Sequence, residues 1–225
     1  MRGESGVADG VEVETGRNPT ASVIWLHGLG ADGHDFEPIV PQLVQRQERA
    51  LRFVFPHAPV RPITLNGGYP MRAWYDIVAL DRAAAEDERG IRASQAAITA
   101  LIERESARGI ASTRIVLAGF SQGGAMALFA GTRYPQPLAG IMGLSCYLVL
   151  AAQLHAERSA ANAATPVFLA HGSQDPVVAP QLGAGARAQL EACGYAIEWH
   201  SYVMPHAVCP QEVADIAAWL RRVLP

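Results

Sequence analysis

Val116-Leu117-Ala118-Gly119-Phe120-Ser121-Gln122-Gly123-Gly124 decides how this chain folds. The apolar run from Arg114 to Ala118 predicts a buried strand, and the small-residue run Gly124-Ala125-Met126-Ala127-Leu128-Phe129-Ala130 predicts a helix. Ser121 stands between them in the spacing G-x-S-x-G, which in a strand–turn–helix context is a nucleophile elbow. So sharp a turn puts Ser121 in a strained backbone conformation, and side chains two positions away on either side would collide. Gly119 and Gly123 therefore carry none. The helix that starts at Gln122 points its N-terminus, the positive end of its dipole, at the reacting atoms, where negative charge develops. Without the flanking strand and helix, the same spacing would be a glycine-rich turn with an ordinary serine.

Outward from the elbow, strands and helices alternate. Upstream, Ser22 to Leu26 is a continuous apolar run, as expected of a strand buried on both faces, and Arg52 to Phe55 is a further short strand. Val11 to Thr15 alternates like a half-exposed strand. Phe36 to Gln47 reads as a helix, with Pro38 and Pro41 tolerable only near its first turn. Pro56 to about Asp81 reads as irregular, and an irregular stretch of that length is more often functional than idle. A helical period spans Glu86 to Arg108 and ends at Gly109. Downstream, strands are expected at Leu138 to Leu144, Pro166 to Ala170 and Tyr195 to Tyr202. Helices are expected at Gln181 to Ala192 and from Pro210 to about Val223, and Tyr147 to Ala164 reads as a loop with short helix. The alternation predicts an α/β fold with a mostly parallel central sheet and helices on both faces. Loops that follow its strands should gather at one edge, where such sheets bind ligands.

That edge supplies partners for Ser121. A serine hydroxyl needs a base, and the base needs an orienting carboxylate, here in the chain order Ser, Asp or Glu, His. Two histidines follow both Ser121 and the Asp175 loop. His200 lies within the last strand, where packing accounts for it, whereas His206 lies in the loop after that strand, where the base belongs. Asp175 follows a buried strand in the loop that begins His171-Gly172. The late alternative, Asp215, sits inside the final helix as a solvated residue. Two backbone N–H groups are needed for the oxyanion: one from Gln122, just after the nucleophile, and one from Leu29, whose glycine neighbours in His27-Gly28-Leu29-Gly30 allow close approach.

Composition narrows the rest. The 225 residues are half hydrophobic, ample for a large core, and read as one domain over 1–225 with about the first ten residues a loosely ordered start. Eighteen basic and 21 acidic residues leave a net charge of −3, which points to neither nucleic acid nor an anionic membrane surface. No run approaches the ~18 apolar residues of a membrane span. The first residues hold no apolar secretory core, and three widely spaced cysteines make no metal pattern, so a cytoplasmic protein without metal or cofactor is expected. Cys146 and Cys209 fall near the edge of the expected site, but neither sits in an elbow, so both read as inert thiols. A homodimer is left open.

His27-Gly28-Leu29-Gly30-Ala31-Asp32-Gly33-His34, Met71-Arg72-Ala73-Trp74-Tyr75-Asp76, Gly119-Phe120-Ser121-Gln122-Gly123-Gly124, His171-Gly172-Ser173-Gln174-Asp175 and His206 together resemble the phospholipase/carboxylesterase family of small α/β-hydrolases, which includes acyl-protein thioesterases. The resemblance runs from about residue 20 to the C-terminus. It implies the α/β-hydrolase fold without a large lid domain, a Ser121–Asp175–His206 triad, oxyanion donors at Leu29 and Gln122, and a substrate groove walled by the loop around Leu65 to Trp74. Val178-Ala179-Pro180 departs slightly from it, since many members place the proline directly after the valine pair.

The resulting expectation is a serine carboxylesterase that hydrolyses esters of small to medium acyl chains through an acyl-enzyme. The alternative within the same chemistry is an acyl-protein thioesterase or lysophospholipase for long chains, with Leu65, Trp74 and Tyr75 as substrate-binding residues. Leu148 and Leu150 would serve the same groove, or the core equally well. A non-catalytic hydrolase-fold binding module is the reading from a different class, and it has no need of all three polar partners. The expected partner is therefore a small-molecule ester or thioester.

Overall fold

The computed structural model describes residues 9–78 and 86–225. The expected loose start therefore lies mostly outside the described residues, as does the end of the Pro56 to Asp81 stretch. In chain order the elements are β1 (Gly10–Glu14), β2 (Ala21–Leu26), α1 (Val40–Leu43), β3 (Leu51–Pro56), β4 (Val60–Ile63), β5 (Tyr69–Arg72), α2 (Glu88–Ala107), β6 (Ile115–Phe120), α3 (Gln122–Arg133), β7 (Gly140–Leu144), α4 (Leu154–Glu157), β8 (Val167–Gly172), α5 (Pro180–Ala192), β9 (Ile197–Tyr202) and α6 (Pro210–Val223).

Seven strands form one sheet in the order β1-β3-β2-β6-β7-β8-β9. Only β1 runs antiparallel, against β3; the other pairings are parallel. The central strands β2, β3, β7 and β8 are buried along their whole length, as strands covered on both faces must be. Their alternate residues enter two separate cores. Ile24, Leu26, Leu117 and Leu169 pack with α2, α3 and α5 on one face. Val23, Trp25, Val116 and Phe168 pack with α1 and α6 on the other. Edge strand β1 exposes Glu12 and Glu14 and half-buries Val11 and Val13, a charged pattern that discourages pairing with another chain.

The order explains where the site forms. After β2 the chain moves outward to β3, then returns past β2 to β6 on its other side. The loops leaving β2 and β6 therefore diverge around a crevice at the carboxyl ends of the strands. The loops after β8 and β9 arrive at the same edge.

Two local expectations need correction. The helix expected over Phe36 to Gln47 is a 3-10 turn at Glu37–Ile39 followed by a single helical turn, Val40–Leu43. Pro38 and Pro41 each remove a backbone donor, which leaves too little chain for a longer helix. The stretch expected to be irregular contains a hairpin: β4 and β5 pair antiparallel, Val60 with Arg72 and Ile63 with Tyr69, around a 3-10 turn at Thr64–Asn66. Prolines at 62 and 70 face each other across this pair and hide the strand pattern in the sequence. Helix α2 forms close to its expected bounds. Asp87 caps it by accepting the Gly90 N–H at 2.9 Å, and Gly109 ends it at φ 92°.

Candidate active site

The elbow has the strain its sequence implies. Ser121 sits at φ 55°, ψ −121°, a region that side-chain-bearing residues rarely adopt and that costs on the order of 1–3 kcal/mol. The surrounding backbone holds it there. Its N–H donates to Leu144 O at 2.8 Å, and its carbonyl accepts the Ala125 N–H at 3.0 Å as the first bond of α3. A methyl on Gly119 would overlap the carbonyl of Gly123, and one on Gly123 would overlap the carbonyls of Leu26 and His27.

Ser121, Asp175 and His206 meet at this edge. His206 Nε2 lies 3.0 Å from Ser121 Oγ, and His206 Nδ1 lies 2.6 Å from Asp175 Oδ2. The other oxygen of Asp175 accepts the Val177 and Val178 N–H groups at 2.8 and 2.9 Å, so the carboxylate is fixed by its own turn. Asp175 is buried. With the carboxylate at Nδ1, the imidazole carries its proton there and turns the Nε2 lone pair toward the serine hydroxyl. The His206 ring rests against Phe120, centroids 4.7 Å apart. His200 goes elsewhere: it stacks on Phe168 at 4.9 Å, and its Nε2 lies 3.1 Å from Glu198. Asp215 accepts the Tyr202 hydroxyl at 2.8 Å.

Gln122 is the first residue of α3, directly after Ser121, so its N–H has no acceptor inside the helix. Leu29, half-buried, lies in the loop just after β2. The expected groove residues are placed differently from one another. Leu65 is exposed at the hairpin tip. Trp74 and Tyr75 are buried, as are Leu148 and Leu150. The Trp74 indole N–H donates to His27 O at 2.9 Å, and the Tyr75 and Tyr147 hydroxyls are 2.7 Å apart. Rings of this size with a polar tip enter a core when that tip finds a partner, and these do, so they offer little surface to a ligand.

His206 also lines a cavity of about 390 Å³, walled by Phe36, Ile39, Phe120, Val208 and Val213. Burial pushes the Cys146 thiol up to about 12, so it stays protonated. Among the described residues no group of His, Cys, Asp and Glu is arranged to hold a metal ion, and no helix is long and apolar enough to cross a membrane.

Residues 8–224 match the Phospholipase/Carboxylesterase family. The chain belongs to the phospholipase/carboxylesterase family. It is a serine hydrolase, built on the α/β-hydrolase fold. Within the family it is 44% identical to acyl-protein thioesterase 1 of Neurospora crassa, over 92% of this chain and 88% of that one. It is 40% identical to acyl-protein thioesterase 1 of Mycosarcoma maydis, over 96% of both. Among solved structures it resembles acyl-protein thioesterase 2 of Zea mays, with a TM-score of 0.82 and 30% identity over 96% of this chain and all of that one.

Two buried side chains of this phospholipase/carboxylesterase site leave no mark in the sequence. His27 precedes Ser121 and so falls outside the chain order of a triad base, and the motif draws on Gln122 only for its backbone N–H. Both are buried and hydrogen-bonded against the Trp74 segment. Only contacts between distant parts of the chain reveal them.

Proposed function

We propose that the chain hydrolyses acyl thioesters, with S-acylated protein as the substrate class, and that Ser121, His206 and Asp175 carry the reaction. The observation that supports this most directly is the continuous relay from Asp175 Oδ2 through His206 to Ser121 Oγ, 2.6 and 3.0 Å long, at a serine strained by an elbow. His206 takes the Ser121 proton as Oγ attacks the acyl carbonyl. The Leu29 and Gln122 N–H groups receive the charge that forms on oxygen. His206 then returns the proton to the departing thiol, and water on the same base releases the acid from the acyl-enzyme. The thioester preference rests on the two fungal relatives at 40 and 44% identity over nearly the whole chain.

A second reading has an observation in its favour. Trp74, Tyr75, Leu148 and Leu150 are all buried and offer little surface to a long acyl chain, which fits an esterase for small to medium acyl chains. One experiment separates the two. Thiol release from S-octanoyl and S-palmitoyl peptides is compared with hydrolysis of p-nitrophenyl esters from acetate to palmitate, with Ser121→Ala as control. Higher kcat/KM on the peptides, rising with acyl length, supports the thioesterase. A maximum on short esters replaces it with the second reading. Retained activity in Ser121→Ala overturns both.

A further inference from the structure

We infer that Trp74, together with the side chains of Gln122 and His27, positions the oxyanion loop, so that the two oxyanion donors are set by one buried hydrogen-bonded circuit. This inference rests on the proposed roles of Leu29 and Gln122. An oxyanion donor works only if its N–H is aimed before the reaction begins, within a fraction of an ångström. Leu29 stands between Gly28 and Gly30, and a glycine-flanked loop does not aim an N–H by itself.

The end of β5 and the segment after it supply the constraint on both sides of Leu29. Upstream, the Trp74 Nε1–H donates to His27 O at 2.9 Å. Downstream, the Gly30 N–H donates to Arg72 O at 2.9 Å. His27 adds a third hold. Its Nε2 accepts the Ala58 N–H at 3.0 Å, so Nδ1 bears the proton and donates to Gly28 O at 2.7 Å, the carbonyl of the peptide whose N–H belongs to Leu29. Burial keeps the His27 pKa below its ordinary value, so this neutral tautomer persists at neutral pH.

The circuit closes on α3. Gln122 Oε1 accepts the Trp74 N–H at 2.9 Å, and Gln122 Nε2 donates to Tyr75 O at 2.8 Å. Ser94 Oγ donates to Trp74 O from α2. The residue whose backbone is one proposed donor thus grips, through its side chain, the segment that anchors the other. A backbone donor alone would not require glutamine at 122, since any residue supplies an N–H. His27, Trp74 and Gln122 are each at most 2% exposed, so none of these bonds competes with water.

The test uses two variants of the full chain. Trp74→Phe keeps a ring and removes the N–H that holds His27 O. Gln122→Met keeps the backbone donor and removes both side-chain bonds. Each should lower kcat by about 10- to 100-fold on a p-nitrophenyl ester with KM within about twofold, because oxyanion contacts strengthen only in the transition state; deleting one donor outright costs about 10²–10³. Affinity for a trifluoromethyl ketone, which adds the Ser121 oxygen to its carbonyl and places the resulting oxyanion at Leu29 and Gln122, should fall in proportion to kcat/KM. Affinity for the product carboxylic acid should not change. The double variant should lose less than the product of the single losses, because both act on one circuit. If either variant is too unstable to purify, the other carries the test. Wild-type kcat in the folded variants, or a loss confined to KM, overturns the inference while Ser121→Ala remains inactive. Activity in Ser121→Ala would instead overturn the function on which it rests.

Discussion

Asp175→Asn is the substitution whose effect the geometry fixes most tightly. Asp175 Oδ1 is committed to two N–H groups, Val177 at 2.8 Å and Val178 at 2.9 Å, while Oδ2 faces His206 Nδ1 at 2.6 Å. Asparagine has one acceptor oxygen. Buried N–H groups are costly to leave unpaired, so that oxygen stays with the turn and the NH₂ group is directed at His206. It can only donate, so Nδ1 becomes the acceptor and the imidazole proton moves to Nε2, 3.0 Å from Ser121 Oγ. The base is then blocked by its own proton, although every heavy atom stays in place. This swap in a Ser-His-Asp triad costs about 10⁴ in kcat, about 5.4 kcal/mol of transition-state stabilisation. The assay is steady-state hydrolysis of p-nitrophenyl butyrate, with circular dichroism to confirm the fold. A loss below tenfold in a folded variant would refute the assignment of Asp175 and the tautomer argument together.

Two further predictions concern stability. Glu212, fully buried in the first turn of α6, finds no hydrogen-bond partner for either carboxyl oxygen among the described residues. Burial pushes its pKa up to about 8, with the nearby Cys209 N–H pulling the other way and Asp215 adding to the rise. The folded chain therefore holds this proton up to about pH 8, the unfolded chain only to about 4.3. The folded state is favoured most below that lower value, loses stability as pH rises towards 8, and levels off above it. Glu212→Gln should match the wild type at pH 4 and exceed it by about 2–4 kcal/mol at pH 8.5 in urea denaturation; parallel curves would refute the argument. Arg52 joins Glu14 of β1 to Glu105 of α2, at 2.9 Å each. Burial disfavours the Glu105 charge, but hydrogen bonds from Ser22, Arg52 and Arg108 outweigh it and hold the carboxyl below its usual range. Arg52→Met removes one of those partners from a fully buried carboxylate and should cost about 3 kcal/mol, whereas a change below about 1 would show that Ser22 and Arg108 suffice.

The elbow, the alternation of strands and helices, and the gathering of loops at one edge are legible in the sequence. Each is written in a short window: glycines two residues either side of Ser121, continuous apolar runs for strands buried on both faces, and Gly109 and Gly194 just beyond helix ends, at φ 92° and 90°. Chain order and loop position single out Asp175 and His206 in the sequence, and His206 lies within hydrogen-bond distance of both Asp175 and Ser121. Tertiary structure alone decided what happens between Phe36 and Trp74. There the prolines mask the β4–β5 hairpin and cut the expected helix to one turn. The same holds for Trp74 and Tyr75. Their composition suits a groove as well as a core, and only the positions of His27 O, Gln122 Oε1 and the Tyr147 hydroxyl, residues 47 to 72 places away, draw them inside. Local pattern records which residues seek burial. Which polar partner meets them there is fixed by distances between segments far apart in the chain, and no window of sequence contains it.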